Sequence, residues 1–188
     1  MRIALAVLLV ALSGMVPATA AEPREETLTL FEGRKVVLAL PDGFVLERGG
    51  EAGGIVTVRL EDARRRLSGE IRFLPDGEHR FLAARPRKEL MHEMFGEYVA
   101  ASTEQGMQFE ELEPREGAGT YCRFTDAKLV GKTELPPGEY LHLTVGLKAW
   151  RGVVAIFRIF SQDVTSPEYQ AVLRLLRESV EERAVPLR

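Results

Sequence analysis

A chain of 188 residues, 45% hydrophobic and 28% charged, has the composition of one globular domain rather than of a disordered or low-complexity polymer. Its formal charge of −3, from 25 Lys and Arg against 28 Asp and Glu, argues against general nucleic-acid binding, which needs a net basic face to displace counterions. One cysteine, Cys122, excludes an intramolecular disulfide, so stability has to come from the core.

The first twenty residues have the pattern of an export signal. Arg2 provides a positive start, Ile3 to Leu12 an apolar run, and Ala18-Thr19-Ala20 a small-residue cleavage pattern. The apolar run is too short for a membrane span. The expected organisation is a signal peptide over 1–20 and a single domain over 21–188. The expected location is periplasmic or secreted, not membrane-spanning, after cleavage near Ala20.

Thr27–Phe31 and Lys35–Leu40 are β-rich runs joined at Glu32-Gly33-Arg34, which predicts a hairpin. Pro41-Asp42-Gly43 predicts a turn, since proline presets φ and glycine tolerates positive φ. A short strand at Phe44–Glu47, a flexible loop across Gly49–Gly54, and strands at Ile55–Leu60 and Ser68–Leu74 follow. Pro75-Asp76-Gly77 closes this β-rich half.

Helical spacing then takes over. Over Pro86 to about Gln105, Met91, Met94, Phe95, Tyr98 and Ser102 fall on one stripe widened by Leu90 and Val99. Pro86 suits a first helical position and Gly106 a stop. Glu113–Gly119 reads as a polar connector, Tyr121–Val130 as a strand bent near Asp126, and Leu135–Gly138 as a turn.

The two longest strands are expected at Tyr140–Trp150 and Val153–Gln162, with Arg151-Gly152 as the turn. This register sets Trp150 against Val153 and Gly146 against Phe157. One face carries Leu141, Leu143, Val145, Leu147, Val154, Ile156 and Phe160; the other carries Thr144, Trp150, Phe157 and Ile159. Both faces are apolar, so both should be covered. Ser166-Pro167-Glu168 opens a last helix by capping, proline and dipole rules, with Tyr169, Val172, Leu173, Leu176 and Val180 as its buried stripe. The fold class is therefore α+β: an antiparallel sheet packed with two main helices in an α/β/α sandwich.

The turn Leu40-Pro41-Asp42-Gly43-Phe44, the late strand pair, and the helix from Tyr169-Gln170-Ala171-Val172-Leu173 to Ser179 together resemble the PsbP-like/Mog1-like fold family. Phe44 stands where that family commonly has Trp. The resemblance implies a central antiparallel sheet between helical layers and a non-enzymatic accessory or binding role. It brings no catalytic residues with it.

Motifs for chemistry are sparse. Glu89 and His92 form half of a carboxylate–histidine metal pattern without a second pair, so no metal site and no cofactor are expected. Nucleophile elbows and phosphate loops are absent from the sequence. The acid pairs Glu61-Asp62 and Glu110-Glu111 read as solvated loop residues. Cys122 shares a face with Phe124 and reads as a buried thiol.

Charge is segregated instead. Nine bases against five acids fill 59–88, and eight acids against one base fill 89–116. The segments either neutralise one another or leave a positive patch around Arg64, Arg65 and Arg66. That patch, with Lys148, Trp150 and Arg151 at the late hairpin tip, is the expected contact surface for an unknown protein or anionic envelope component. For Trp150 itself, packing over the end of its own sheet opposite Val153 is the favoured reading. The leading function is an exported non-enzymatic binding or accessory protein. The alternative is a small hydrolase using His142, Asp126 and Ser161.

Overall fold

A computed structural model describes residues 23–182. The expected signal peptide and its cleavage site lie outside them. Among the described residues, ten strands form two antiparallel sheets accompanied by two α-helices, an α+β sandwich as the sequence predicts.

The first hairpin pairs β1 (Arg24–Thr29) with β2 (Lys35–Leu40), Thr27 opposite Val37. Phe31 belongs to the connection rather than the strand. That connection turns on two positive-φ residues, Glu32 and Gly33. The polypeptide then enters a second, seven-stranded sheet. Its strands are β3 (Phe44–Ala52), β4 (Ile55–Asp62), β5 (Leu67–Pro75), β6 (Glu110–Glu111), β7 (Ala118–Thr125), β8 (His142–Ala149) and β9 (Val153–Ser161). They lie in the order β3-β4-β5-β9-β8-β7-β6, each antiparallel to its neighbours.

The expected Gly49–Gly54 loop is mostly strand. β3 runs on to Ala52 through a register shift between Arg48 and Glu51, leaving Gly53 and Gly54 as the turn. Glycine tolerates the bulge, and at Gly49 a Cβ would press to 3.2 Å from the Thr57 carbonyl oxygen. β7 is shorter than expected at its far end. Past Thr125 the backbone N–H of Asp126 donates to Leu141, and the Asp126 carboxylate accepts from the Lys128 N–H at 2.8 Å, which starts a turn.

Helix α1 (Ala84–Phe95) covers one sheet face with Met91 and Phe95 fully buried. It does not continue to Gln105. Phe95 leaves helical geometry, and Gly96–Ala101 winds on as a 3-10 segment. The low helix propensity of Gly96 lets the stripe break there, after which Tyr98 packs on both Phe95 and Phe124. Pro86 lies third in α1, within the first turn, where its missing N–H is not needed.

Helix α2 (Pro167–Glu178) covers the other face. The Ser166 hydroxyl accepts from the Tyr169 N–H at 3.2 Å, and Tyr169, Val172, Leu173, Leu175 and Leu176 are buried. Val180 is not on the helix. It opens β10 (Val180–Glu182), which pairs with β2 to form a separate small sheet, β1-β2-β10. This second sheet is the main departure from the single sheet expected.

The core divides accordingly. Cys122, Phe124, Val145, Leu147, Val154 and Ile156 meet α1, while Phe73, Trp150, Phe157 and Ile159 meet α2 and the small sheet. The predicted register holds, with Gly146 opposite Phe157 and the Trp150 N–H donating to the Val153 carbonyl at 2.8 Å. No helix among the described residues is long and apolar enough to cross a membrane.

Candidate binding face at one end of the sheet

Strand register sorts the candidate residues to opposite ends of the molecule. Leu67 and His142 both lie opposite Ser161, and Thr125 lies opposite His142. The Arg64–Arg66 turn, His142, Ser161 and the β7–β8 connection therefore share one end. Pro75 lies opposite Val153, which puts the Arg151-Gly152 turn at the other end. At about 3.4 Å per residue along β5, the two ends are about 27 Å apart. The expected combined contact surface is thus split.

Two of its members are also inside. Trp150 is 1% exposed and Lys148 0%. The Lys148 ammonium lies 4.5 Å from the Trp150 ring centre and donates to the Leu176 carbonyl at 2.7 Å, to the Ser179 carbonyl, and to Ser179 Oγ at 2.9 Å. It caps the C-terminal carbonyls of α2, where a cation also meets the negative end of the helix dipole. Burial pushes its pKa down to about 7, partly opposed by Glu116. Neither side chain is presented to a partner. Arg151 is exposed, with the Arg34 guanidinium beside the neighbouring Gly152.

The basic segment is partly neutralised by the acidic one. Arg85 pairs with Glu89 at 2.7 Å, and Glu111 receives Arg87 at 3.3 Å and Lys88 at 4.0 Å. Arg87 is buried, with its guanidinium bonded to Thr120 Oγ1 and to the carbonyls of Phe81 and Leu82. Its i, i+4 spacing to Met91 and then Phe95 was the available signal. The acid pairs are not loop residues either. Glu110 accepts from the Tyr121 hydroxyl (2.8 Å) and from Arg123 (2.6 Å), and burial together with Glu110 pushes Tyr121 up to about 12.

The Arg64–Arg66 turn keeps its exposure and is firmly built. The buried Asp62 carboxylate accepts from the N–H groups of Arg64 (3.0 Å) and Leu67 (2.6 Å). The Arg65 carbonyl accepts from the Gly138 N–H, and the Arg66 carbonyl from the Gln162 N–H. The Gln162 side chain in turn donates to the Pro136 and Glu139 carbonyls, both at 3.0 Å. Arg66 and Lys132 line one recess, and the neighbouring Val130 is 55% exposed. Arg65 also meets Glu61, 3.4 Å away.

Beside this turn, His142 forms part of the wall of two small cavities. The first, about 200 Å³, is mainly apolar; the second, also about 200 Å³, includes Glu104, Gln108, Glu110, Arg123 and Thr125. The carboxylate of Glu104 accepts both the N–H and the hydroxyl of Thr125, each at 2.8 Å. That commits the hydroxyl proton, so Thr125 Oγ1 accepts from Nδ1–H of His142 across 3.3 Å. Burial opposes the charge on Glu104, but hydrogen bonds from Thr125, its own backbone and Ser102 together outweigh it and hold its pKa below the ordinary value.

Of the hydrolase residues, Asp126 and His142 both line the first cavity and Ser161 lies opposite His142, but no hydrogen bond joins the three among the described residues. Ser161 Oγ donates to the Asp163 carbonyl (2.8 Å) and accepts the Asp163 N–H (3.1 Å), while the Asp126 carboxylate caps Lys128. His92 packs edge-on against Phe109, and no group of three or more potential metal ligands exists among the described residues. Cys122 is buried, and burial pushes its thiol up to about 12, away from nucleophilic use.

Burial lowers the pKa of His142, and the nearby carboxylates of Asp163 and Glu104 only partly oppose it. Just below the ordinary histidine value near 6.5, the unfolded chain therefore binds more protons than the folded one. Stability should fall as the pH drops from about 6.5 through the folded value. His142→Gln should lack this limb of the thermal-unfolding profile, and the His142 ring resonances should titrate below 6.5.

Comparison with protein-family models, with curated proteins and with solved structures finds no match to this chain.

Proposed function

We propose that the chain is an exported, non-enzymatic binding or accessory module, periplasmic or secreted, that docks on an anionic envelope component through the Arg64–Arg66 end of its sheet. One observation carries this reading: three consecutive exposed arginines stand on a turn held by the buried Asp62 carboxylate and by the Gly138 and Gln162 backbone. A pre-shaped turn loses little entropy on binding, and guanidinium forks match carboxylate and phosphate oxygens. Lys132, which meets Glu139 at 3.5 Å, and the exposed Val130 lie beside it. The resemblance in element order to PsbP-like/Mog1-like proteins points the same way. The hydrolase reading is weaker, because the Ser161 hydroxyl is spent on Asp163.

The test is sedimentation of the mature protein with phosphatidylglycerol vesicles against zwitterionic ones. At about 1 kcal/mol per arginine near an anionic surface, replacing Arg64, Arg65 and Arg66 by Ala should weaken association on the order of 100-fold. Added salt should weaken the wild type similarly. The unfolding midpoint should barely move, since exposed substitutions are usually within about 0.5 kcal/mol. Equal sedimentation of both proteins with anionic vesicles would defeat the proposal.

A further inference from the structure

We propose that the arginine end of the sheet docks on the surface of a lipid bilayer, with Val45 and Val130 entering the acyl boundary on either side of the Arg64–Arg66 turn. Resting on the docking reading above, this makes the anionic component the membrane itself and part of the binding apolar.

Exposure singles out this end of the molecule. Among the described residues two large hydrophobic side chains stand exposed, Val45 at 58% and Val130 at 55%. Single exposed valines are ordinary on a protein surface; here both fall beside the same basic turn. Val45 lies opposite Glu61 and lines a recess with Arg65. Val130 comes just before Lys132, which lines another recess with Arg66. The strand order β3-β4-β5-β9-β8-β7 sets β3 on one side of the arginine turn and the β7–β8 connection on the other.

Both valines are held in place by backbone pairing. The Lys132 N–H donates to the Leu129 carbonyl at 3.2 Å, closing a β-turn with Val130 at its second position and Gly131 at its third. Gly131 takes φ 86°, as a type II turn requires, so the valine stands at a corner. Behind it, the Leu129 N–H donates to the Asp126 carbonyl at 3.0 Å. Val45 is fixed by the ladder between β3 and β4. Little conformational freedom is therefore lost when this end meets a surface.

The charge beside the valines suits anionic headgroups. Glu61 meets Arg65 at 3.4 Å and Glu139 meets Lys132 at 3.5 Å, while Arg64 and Arg66 have no ion pair among the described residues. Glu134 shares the Arg66 recess, so the surplus is modest. Attraction to an anionic surface positions this end, and aliphatic side chains entering the acyl boundary add a contribution that salt does not screen. A folded protein partner concentrates binding on a contiguous buried centre. Here a cationic turn separates the two valines, and a bilayer buries each independently.

The experiment uses the mature protein and phosphatidylglycerol vesicles, plain or with brominated acyl chains. Trp150 is buried at the far end of the sheet, so wild-type fluorescence should be the same with both. Val130→Trp adds a tryptophan at an exposed position, and its added fluorescence should be quenched by the brominated vesicles. Separately, Val45→Thr combined with Val130→Thr keeps shape and removes apolar surface. It should weaken vesicle association about ten-fold, by the same factor at low and high salt. Sedimentation that depends on the three arginines, with Val130→Trp unquenched or the threonines without effect, would overturn insertion and leave the docking reading standing. Equal sedimentation of the wild type and the arginine variant would overturn both.

Discussion

Lys148→Met should destabilise the protein by about 3 kcal/mol at alkaline pH, where the amine is uncharged folded and unfolded alike, the scale expected when two buried carbonyls lose a shared hydrogen-bond donor. For a domain of this size that corresponds to a drop of roughly 10 °C in Tm. The cost arises at the end of α2, where the carbonyls of Leu176 and Ser179 lose their shared donor inside the protein. Trp150, the single tryptophan, is buried directly beside the ammonium and serves as the reporter of unfolding. Methionine fills much of the lysine stem's volume, so the effect reads the lost amine donor rather than a cavity.

The same residue makes a pH prediction with a definite sign. Burial lowers the Lys148 pKa from 10.5 to about 7, so between those values the unfolded chain holds a proton that the folded one has released. Stability from this group is complete above 10.5 and is lost as the pH falls to about 7. Wild-type stability, measured relative to Lys148→Met, should therefore rise between pH 7 and 9. The limiting slope is about 1.4 kcal/mol per pH unit. Taking the difference removes the opposing contributions of Tyr121, Tyr169 and Cys122, whose pKa values burial raises. A flat difference would show that the carbonyls and the indole face fully compensate the burial of the charge.

Gly146→Ala should cost about 3 kcal/mol or more, at the upper end of overpacking penalties. Gly146 lies mid-strand in β8, and a Cβ there would overlap the Phe157 ring and come within 2.6 Å of the Thr120 carbonyl oxygen. The ring can shift, but the carbonyl belongs to the neighbouring strand and cannot move without opening the sheet. Pairing Gly146→Ala with Phe157→Leu should therefore recover only part of the loss in urea unfolding. Full recovery would locate the whole penalty in the ring, and no loss at all would contradict the packing of β7, β8 and β9.

These two positions mark where sequence reasoning succeeds and where it stops. Gly146 was legible because alternation over a long strand pair admits one register once Arg151-Gly152 is taken as the turn. Lys148 was half legible. Its parity puts it on the same face as Thr144, Gly146 and Trp150, a face predicted to be covered, yet its nearness to the hairpin tip read as surface. A lysine's position in sequence does not reveal a distant helix end in need of a cation; Leu176 and Ser179 come from about thirty residues further on. Arg87 counted only as one of the nine bases of 59–88 for the same reason, since its acceptors Thr120, Phe81 and Leu82 converge only in the folded chain.

The candidate binding face shows the same division. Exposed arginines at Arg64–Arg66 could be expected from three consecutive charges at a turn. Their separation from Arg151 depends on which end of the sheet each turn occupies, and so on strand order. The cavity beside His142 needs Tyr98 from the 3-10 segment, Phe124 from β7 and Phe160 from β9 at once. No local pattern encodes that meeting.

Read alone, the sequence determined the α+β class, the long hairpin and its register, and both helix locations, and it favoured the burial of Cys122. All of these follow from short-range periodicity and turn chemistry, which act within a dozen or so residues. Tertiary structure alone decided the second small sheet, the inward turn of Lys148, and the grouping of the arginine turn with His142. Those outcomes depend on which distant backbone groups still need partners once the strands have paired, and only the closed fold determines that.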